Sequence, residues 1–153
     1  MKEFDYDLNY KELDFTDEET RQLYRIGRGE QGVLLVRPYT NDICAHWRFK
    51  TPEIAKKSAA KIYEMYLIYR DKKDFIGMDM CRKFLEMGFT RSRRYANHRN
   101  GKKYDKEGKV IPQEKDHDTC HFAKSATIFK KTRDVVAKSA SYVSMRQQWR
   151  DNE

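Results

Sequence analysis

Apolar residues recur every three or four positions through most of the chain after residue 50, which is the spacing of one buried helix face. The first of these helices has a well-marked start, because Thr51 can cap it, Pro52 suits the first helical position and Glu53 complements the helix dipole. The apolar stripe that follows predicts a helix continuing to about Arg70.

Three further segments follow in the second half of the chain. A helix is predicted to open near Asp74 and to stop at Gly88, a residue suited to a left-handed C-terminal cap, after which Thr90 caps a short helix. Residues 100–118 are rich in turn formers and charges, which predicts a mobile loop or a short hairpin. Residues 118–149 keep helical spacing without glycine or proline, so we expect a long C-terminal helix, broken at most once.

The first third of the chain contains a pattern typical of strands. An apolar run ends at Pro38, the next four residues have turn chemistry, and β-prone residues then resume. This pattern predicts an antiparallel hairpin with strands at 33–39 and 43–49. The expected fold class is therefore α+β, with a small antiparallel β-hairpin or sheet packed against two central helices and the long C-terminal helix.

Composition limits the class of protein. A length of 153 residues suits a single domain spanning 1–153, and an aromatic content of 13% argues against disorder. No apolar run approaches the roughly 20 residues of a membrane span, and the first residues contain no apolar signal segment. We therefore expect a soluble, cytoplasmic protein and exclude the membrane, secreted and fibrous classes.

Charge is distributed unevenly along the chain. Residues 1–20 carry two basic and eight acidic side chains, a formal charge of −6, whereas the remaining residues carry +14. Four apolar side chains alternate within this acidic N-terminal segment, namely Phe4, Tyr6, Leu8 and Tyr10. The alternation predicts a strand that shields part of the basic body. Thr16 and Glu19 have the spacing of a capping box, which predicts a short helix to about Tyr24.

The densest positive segment is residues 91–103, which we call the basic run. It contains six cations in thirteen residues and no acid, namely Arg91, Arg93, Arg94, Arg99, Lys102 and Lys103. Guanidinium groups suit phosphate oxygens, and the interspersed Tyr95 and His98 offer rings for a base to stack on. A surface that only promotes solubility usually mixes both signs of charge. We therefore expect the basic run to bind nucleic acid or another polyanion.

Two shorter motifs point to the same kind of ligand. Gly27, Gly29 and Gly32 have the spacing G-x-G-x-x-G, but the segment precedes a predicted strand, so the context of a dinucleotide site is absent. Arg28 and exposed amides of this turn are a candidate phosphate site. In the run Trp47 to Lys50, strand alternation would place Arg48 and Lys50 on one outward, cationic face.

The residues that could hold a metal or perform catalysis form no recognised pattern. Three cysteines in a chain expected to be intracellular do not predict disulfides, and the pair His117 and His121 lacks partner ligands, so we expect no metal and no cofactor. Glu30, His46 and His98 are the nearest acid–base groups to the two motifs, and they form no triad or carboxylate pair.

Three matching stretches carry a family resemblance: Gly27 to Val36, His46 to Ala55, and Gly77 to Met80 together with Thr90 to His98. Over about residues 4–145 the chain resembles the family catalogued as domain of unknown function 4385, found in bacteria, some eukaryotes and large phages. The resemblance implies a stand-alone intracellular domain and no activity, cofactor or substrate.

The favoured function is accordingly non-catalytic binding of an anionic partner. Nucleic acid is the first candidate for that partner, and other polyanions come second. Two alternatives remain open. One is a small enzyme that acts on a phosphorylated ligand with Arg28, Glu30 and His98, and the other is a protein-interaction module for an acidic partner.

Overall fold

A computed structural model describes residues 2–153 and shows a helical protein. After a 3₁₀ turn at Tyr10–Glu12, six helices follow in chain order: α1 (Glu18–Arg21), α2 (Tyr39–Cys44), α3 (Pro52–Asp71), α4 (Phe75–Asn97), α5 (His121–Lys138) and α6 (Ala140–Asp151). Residues 2–153 are 57% helix and 1% strand and contain no sheet, so the predicted α+β class is wrong.

The starts of the two longest helices agree with the sequence signals. The Thr51 hydroxyl accepts a hydrogen bond from the Ile54 amide at 3.2 Å, and the Asp74 carboxylate accepts one from the Gly77 amide at 3.2 Å. Each side chain satisfies a backbone donor that the helix itself leaves unpaired. The predicted starts of α3 and α4 are therefore confirmed.

The predicted stop at Gly88 is wrong, since α4 continues without a break to Asn97. Gly88 lies against the Phe129 ring of α5, and a Cβ atom at position 88 would stand 2.5 Å from Cδ1 of that ring. Glycine therefore serves helix packing here and not helix termination. The predicted short helix at Thr90 is the last part of α4, which places Arg91, Arg93 and Arg94 on a continuous helix.

The predicted hairpin is also wrong, because residues 33–38 form turns and residues 39–44 form α2. The Thr40 hydroxyl donates to the Val33 carbonyl at 2.8 Å and accepts from the Val36 amide at 3.0 Å, so local bonds satisfy the backbone that a partner strand would have paired. Within residues 2–153 the single β pairing is an isolated bridge between Tyr104 and Val110, in the loop 100–118.

The C-terminal segment, predicted as one long helix with at most one break, forms two helices separated by a single break. Helix α5 ends and α6 begins at Ser139, whose hydroxyl donates to the Val136 carbonyl at 2.8 Å. Helix α4 packs against α3 and α5 and also contacts α2 and α6, so the core surrounds α4.

The acidic N-terminal segment forms no strand, contrary to the prediction. Its aromatic residues Phe4, Tyr10 and Phe15 are buried in the core, and successive rings stack 5.7 and 6.0 Å apart while the acids stay exposed. The predicted short helix is present as α1, but Asp17 caps it in place of Thr16, and it ends at Arg21 and not near Tyr24. Among the described residues, the helices are too short or too polar for any to cross a bilayer.

Candidate anion-binding site

Four arginines from three separate segments meet in one recess, which we call the arginine cavity. It has a volume of about 580 Å³ and lies between the turn at 27–29, helix α4 and helix α6. The cationic side chains in its wall are Arg28, Arg82, Arg146 and Arg150, and no acidic side chain lines it. A recess with four guanidinium groups and no acid favours an anionic ligand.

The glycine turn holds two of these arginines in place. The Gly29 carbonyl accepts a hydrogen bond from Nη1 of Arg82 at 3.0 Å, and the Gly27 carbonyl accepts one from Nη2 of Arg150 at 3.2 Å. Both glycines have positive φ angles, 68° at Gly27 and 54° at Gly29, which other residues rarely adopt. The two glycines thus shape a turn whose carbonyls position α4 and α6 arginines, and no strand follows it.

A buried carboxylate lies behind the cavity wall. Asp79 is fully buried and accepts hydrogen bonds from the hydroxyls of Tyr142, at 2.6 Å, and Tyr24, and from Nε of Arg82 at 2.8 Å. Burial alone would raise the pKa of Asp79, but Arg82, Lys83 and these hydrogen bonds outweigh it and lower the pKa to about 2. Asp79 therefore stays ionised and fixes the orientation of Arg82.

Lys83 is the second buried charge of this cluster. Its Nζ atom lies 3.8 Å from Asp79 Oδ2 and 4.8 Å from the centre of the Tyr24 ring. Burial lowers the pKa of Lys83 to about 7 even though Asp79 opposes the shift. Because Lys83 is fully buried and does not line the cavity, it acts on a ligand there only through its charge.

The other two arginines of the cavity remain available for a ligand. Arg146 forms no ion pair or hydrogen bond within residues 2–153, whereas Arg28 forms one weak pair with Glu3 at 3.4 Å. That pair is solvated, since the side chains of Arg28 and Glu3 are 76% and 68% exposed. The cavity thus combines two fixed guanidinium groups with two that an incoming anion can engage.

Arg28 also joins the arginine cavity to a neighbouring recess. This second recess has a volume of about 400 Å³ and includes Arg91 and Glu30 in its wall. The Thr90 hydroxyl donates to Glu30 at 2.7 Å, and burial raises the pKa of the Glu30 carboxyl. Positive charge therefore continues from the arginine cavity across Arg28 to Arg91.

A larger recess of about 720 Å³ near the chain ends is a weaker candidate. Its cations are Lys2, Arg21, Arg25 and Lys73. Glu153 also lines it, and Arg21 is already paired with Asp74 at 2.8 Å. Glu153 lines this recess directly, whereas it meets the arginine cavity only through its 3.4 Å pair with Arg150, so the positive potential is lower here.

The basic run is partly neutralised in space although its own sequence contains no acid. Arg99 pairs with Asp116 at 2.6 Å, and Arg93 lies 3.8 Å from Asp118 and donates to the Asn97 side chain at 2.6 Å. The run's other cations form no ion pair within residues 2–153; they are Arg91, Arg94, Lys102 and Lys103. The loop 100–118 therefore supplies counter-charges that follow the run in sequence.

The remaining predicted residues lie away from the arginine cavity. Tyr95 packs between Phe49 and Phe122, and it lines a separate aromatic pocket together with Arg48 and Lys50. Arg48 is not on a strand but in the irregular segment that follows α2. Its Nη1 donates to the carbonyls of Cys44 and Trp47. His98 is buried at the C-terminal cap of α4, and its Nδ1 atom has no partner within the described residues.

The acid–base groups do not gather around one site. Glu30 lies beside Arg28, but His98 is absent from the walls of both recesses that Arg28 lines, and His46 is exposed. Across residues 2–153 no group of three or more metal-ligand side chains is placed to hold an ion. His117 instead contacts its neighbour Asp118 at 3.1 Å.

Sequence analysis located Arg28 but missed Arg82, Arg146 and Arg150. The sequence contains a partial signal for the charged cluster around Arg82. Asp79 and Lys83 lie four residues apart within an otherwise apolar helix face, which indicates a buried ion pair. No local pattern connects α6 to the glycine turn, since Arg150 and Gly27 are 123 positions apart.

Comparison with known proteins gives a family and no function. The family model described as Domain of unknown function (DUF4385) matches residues 5–152. No curated protein and no solved structure matches the chain.

Proposed function

Because the chain belongs to a family described only as a domain of unknown function, DUF4385, we propose its function from its own geometry: it binds nucleic acid through the phosphates, without catalysing a reaction. The observation that carries this proposal is the arginine cavity, where four guanidinium groups converge and no acid lines the wall. Arginine forks match phosphate oxygens and bind them with two parallel hydrogen bonds.

The extent of the positive surface favours a polymer over a single phosphate. Arg28 belongs to both recesses, and Arg91 continues the positive charge toward the unpaired cations of the basic run, Arg94, Lys102 and Lys103. A chain of phosphates can contact these groups in succession, whereas a small ligand can contact one recess only. The Arg48 and Lys50 side chains extend the set of candidate phosphate contacts.

A small phosphorylated ligand is the second candidate, because a recess of about 580 Å³ falls within the usual range for small-molecule sites. Catalysis on such a ligand has weaker support, since Glu30 is engaged by Thr90 and His98 lies elsewhere. Binding without reaction therefore accounts for more of the observed contacts.

The test measures how affinity for a single-stranded oligonucleotide depends on salt between about 50 and 200 mM. At about −0.7 per contact, the four cavity arginines and Arg91 alone predict a slope of log K against log salt near −3.5, and further contacts such as Arg48 and Lys50 would make it steeper. The double variant Arg28→Ala/Arg146→Ala should flatten the slope by about 1.4, because it removes two contacts from solvated or unpaired side chains.

The matched control is Lys56→Ala/Lys131→Ala, which removes two exposed cations that lie in a groove between α3 and α5 and form no ion pair within residues 2–153. We expect the control to change the slope by less than half as much, with circular dichroism confirming that both variants fold. The proposal fails if no oligonucleotide binds in a salt-sensitive manner, or if the control alone flattens the slope. It also fails if inorganic pyrophosphate binds as tightly as the oligonucleotide, which would support the small ligand.

A further inference from the structure

The aromatic pocket is a second recess with a distinct chemistry. It has a volume of about 550 Å³, and its wall includes four aromatic rings and two cations but no acid: Trp47, Phe49, Tyr95, Phe122, Arg48 and Lys50. The four rings are half-buried, so part of each remains accessible from the recess. Accessible rings beside cations are the combination that binds bases of single-stranded nucleic acid.

The rings form one continuous cluster although they come from three parts of the chain. The ring centre of Phe49 lies 5.1 Å from Trp47, 5.8 Å from Tyr95 and 6.4 Å from Phe122, and Tyr95 lies 5.4 Å from Phe122. These separations are those of interacting aromatic pairs. The rings are tilted by 31° to 58° to one another, so a flat ligand can stack on the face of one ring and contact the others at an angle.

The pocket is held in place before any ligand binds. The Ser58 hydroxyl on α3 donates to the His46 carbonyl at 2.7 Å and accepts from the Arg48 amide at 3.0 Å, which ties the segment 46–48 to that helix. The Arg48 guanidinium donates a hydrogen bond to the Trp47 carbonyl at 2.6 Å, which holds the guanidinium in position. A pre-formed wall lowers the ordering cost of binding.

The loop 100–118 approaches the Tyr95 ring closely at Gly101. Gly101 has a φ angle of 77°, and a Cβ atom at that position would stand 2.9 Å from Cε1 of the Tyr95 ring. Glycine at position 101 thus allows the loop to pass beside the ring. This contact limits the movement of Tyr95 without covering the recess, which Tyr95 still lines.

From this arrangement we infer that the aromatic pocket holds an unpaired base of a single strand, with an adjacent phosphate against Arg48 and Lys50. A base offers a flat π face to the rings, and the phosphate complements two cations that no acid of the wall neutralises. Bases inside a duplex are stacked and paired, so they cannot enter. The inference rests on the proposed function and names its substrate class, single-stranded nucleic acid.

One strand can reach both sites. Arg82 and Tyr95 lie thirteen residues apart on α4, which corresponds to about 20 Å along the helix axis. With phosphates about 3.4 Å apart in a stacked strand, about six nucleotides span the axial distance, and more are needed because thirteen residues also turn about 140° around the helix. An oligothymidylate of about twelve nucleotides is therefore a sufficient probe.

The experiment compares this oligothymidylate with an abasic oligonucleotide of equal length and equal phosphate charge. The wild-type protein should bind the base-containing strand about 5- to 150-fold more tightly, the range expected for one stacked base. Tyr95→Leu and Phe122→Leu should each remove most of this preference, while affinity for the abasic strand stays unchanged because the phosphate contacts remain.

The control variant is Tyr63→Leu, which removes a half-buried tyrosine from a different apolar groove between α3 and α5. That groove also contains two lysines, Lys56 and Lys131. Tyr63 therefore resembles Tyr95 in its aromatic ring, its partial burial and its nearby positive charge. The preference for the base-containing strand should survive in Tyr63→Leu. Loss of the preference in this control would overturn the assignment to the aromatic pocket.

Fluorescence provides a readout that folding defects do not imitate. The chain has two tryptophans, so Trp149→Phe leaves Trp47 as the sole indole and reports directly on the pocket. Oligothymidylate should change Trp47 emission, whereas the abasic strand and a duplex should not.

The two proposals fail in different ways. Equal affinity for base-containing and abasic strands, with dependence on Arg28 and Arg146 retained, would overturn the base pocket and leave the phosphate function standing. The opposite result is that the base-containing strand is still preferred over the abasic strand, but Arg28→Ala/Arg146→Ala leaves the salt dependence unchanged. That result would overturn the proposed role of the arginine cavity.

Discussion

The basic run and the arginine cavity concentrate positive charge by different routes. The run places six cations within thirteen consecutive residues, whereas the four cavity arginines are spread over positions 28 to 150. In the folded chain Asp116 and Asp118 lie beside the run, and no acid lines the cavity. Density of charge along a sequence is therefore a poor guide to the electrostatic potential at a surface, because the potential depends on distances in space.

The counter-ions of the two regions also differ in burial. Asp79 behind the cavity is fully buried and accepts three close hydrogen bonds, while the Asp116 side chain beside the run is 52% exposed. Water and salt screen the exposed pair, but they do not reach the buried one. We therefore expect the cavity to depend on its acid for folding and the run to depend on its acids very little.

The largest expected effect comes from removing the buried carboxylate. Asp79→Asn leaves the buried Arg82 guanidinium without its counter-charge and should lower the free energy of unfolding by about 3–5 kcal/mol. Asp116→Asn breaks an exposed pair and should cost about 0.2–1 kcal/mol. Urea denaturation of both variants at neutral pH measures the difference. Losses of similar size would show that burial does not distinguish the two regions.

The next effect concerns pH. The pKa of Lys83 is about 7 in the folded chain and near its usual 10.5 when unfolded. Above neutral pH the unfolded chain therefore holds a proton that the folded chain has released, and the free energy of unfolding rises with pH. From pH 7 to about 8.5 the rise attributable to Lys83 should be about 1–2 kcal/mol.

The groups that face Lys83 do not titrate in this interval. Asp79 has a pKa of about 2 and raises the pKa of Arg82 beside it, and burial raises the pKa of Tyr24 well above its usual value. Lys83→Met should remove the rise, while Lys103→Met, an exposed lysine of the basic run, should keep it. A parallel pH profile for Lys83→Met and the wild type would contradict the assignment.

The smallest effect tests whether the loop acids mask the run. Asp116→Asn/Asp118→Asn frees Arg99 and Arg93, so the salt slope for a single strand should steepen by up to about 1.4. Glu12→Gln/Glu19→Gln removes the same charge from the acidic N-terminal segment, where neither acid forms an ion pair within residues 2–153. Equal steepening in both variants would mean that only net charge matters.

Part of the fold could be predicted because its signals are local. Thr51 and Asp74 cap helices through bonds to amides three residues away, and the break at Ser139 falls inside a segment expected to have at most one. The errors share a cause. Residues 33–49 have strand composition and Gly88 has the identity of a helix stop, but the burial and hydrogen bonds of Thr40 favour turns and α2, and the Phe129 ring packs on Gly88 within α4.

The residues of the candidate site also divide into those with a local sequence signal and those without one. Nearby glycine and cationic patterns predict Arg28 and Arg91 as candidate phosphate-binding residues, and both line the recess of about 400 Å³ that adjoins the arginine cavity. Arg82, Arg146 and Arg150 carry no local mark of function. Their importance arises only when α4 and α6 bring them to the carbonyls of Gly27 and Gly29.

The sequence by itself determined where the long helices start and how charge divides between an acidic segment and a basic body. Capping and helical periodicity act over a few residues, so they can be recognised in one dimension. Only the tertiary structure decided which cations face a cavity and which meet acids. Coulomb energy and burial depend on distances between side chains remote in sequence, and packing around α4 sets those distances.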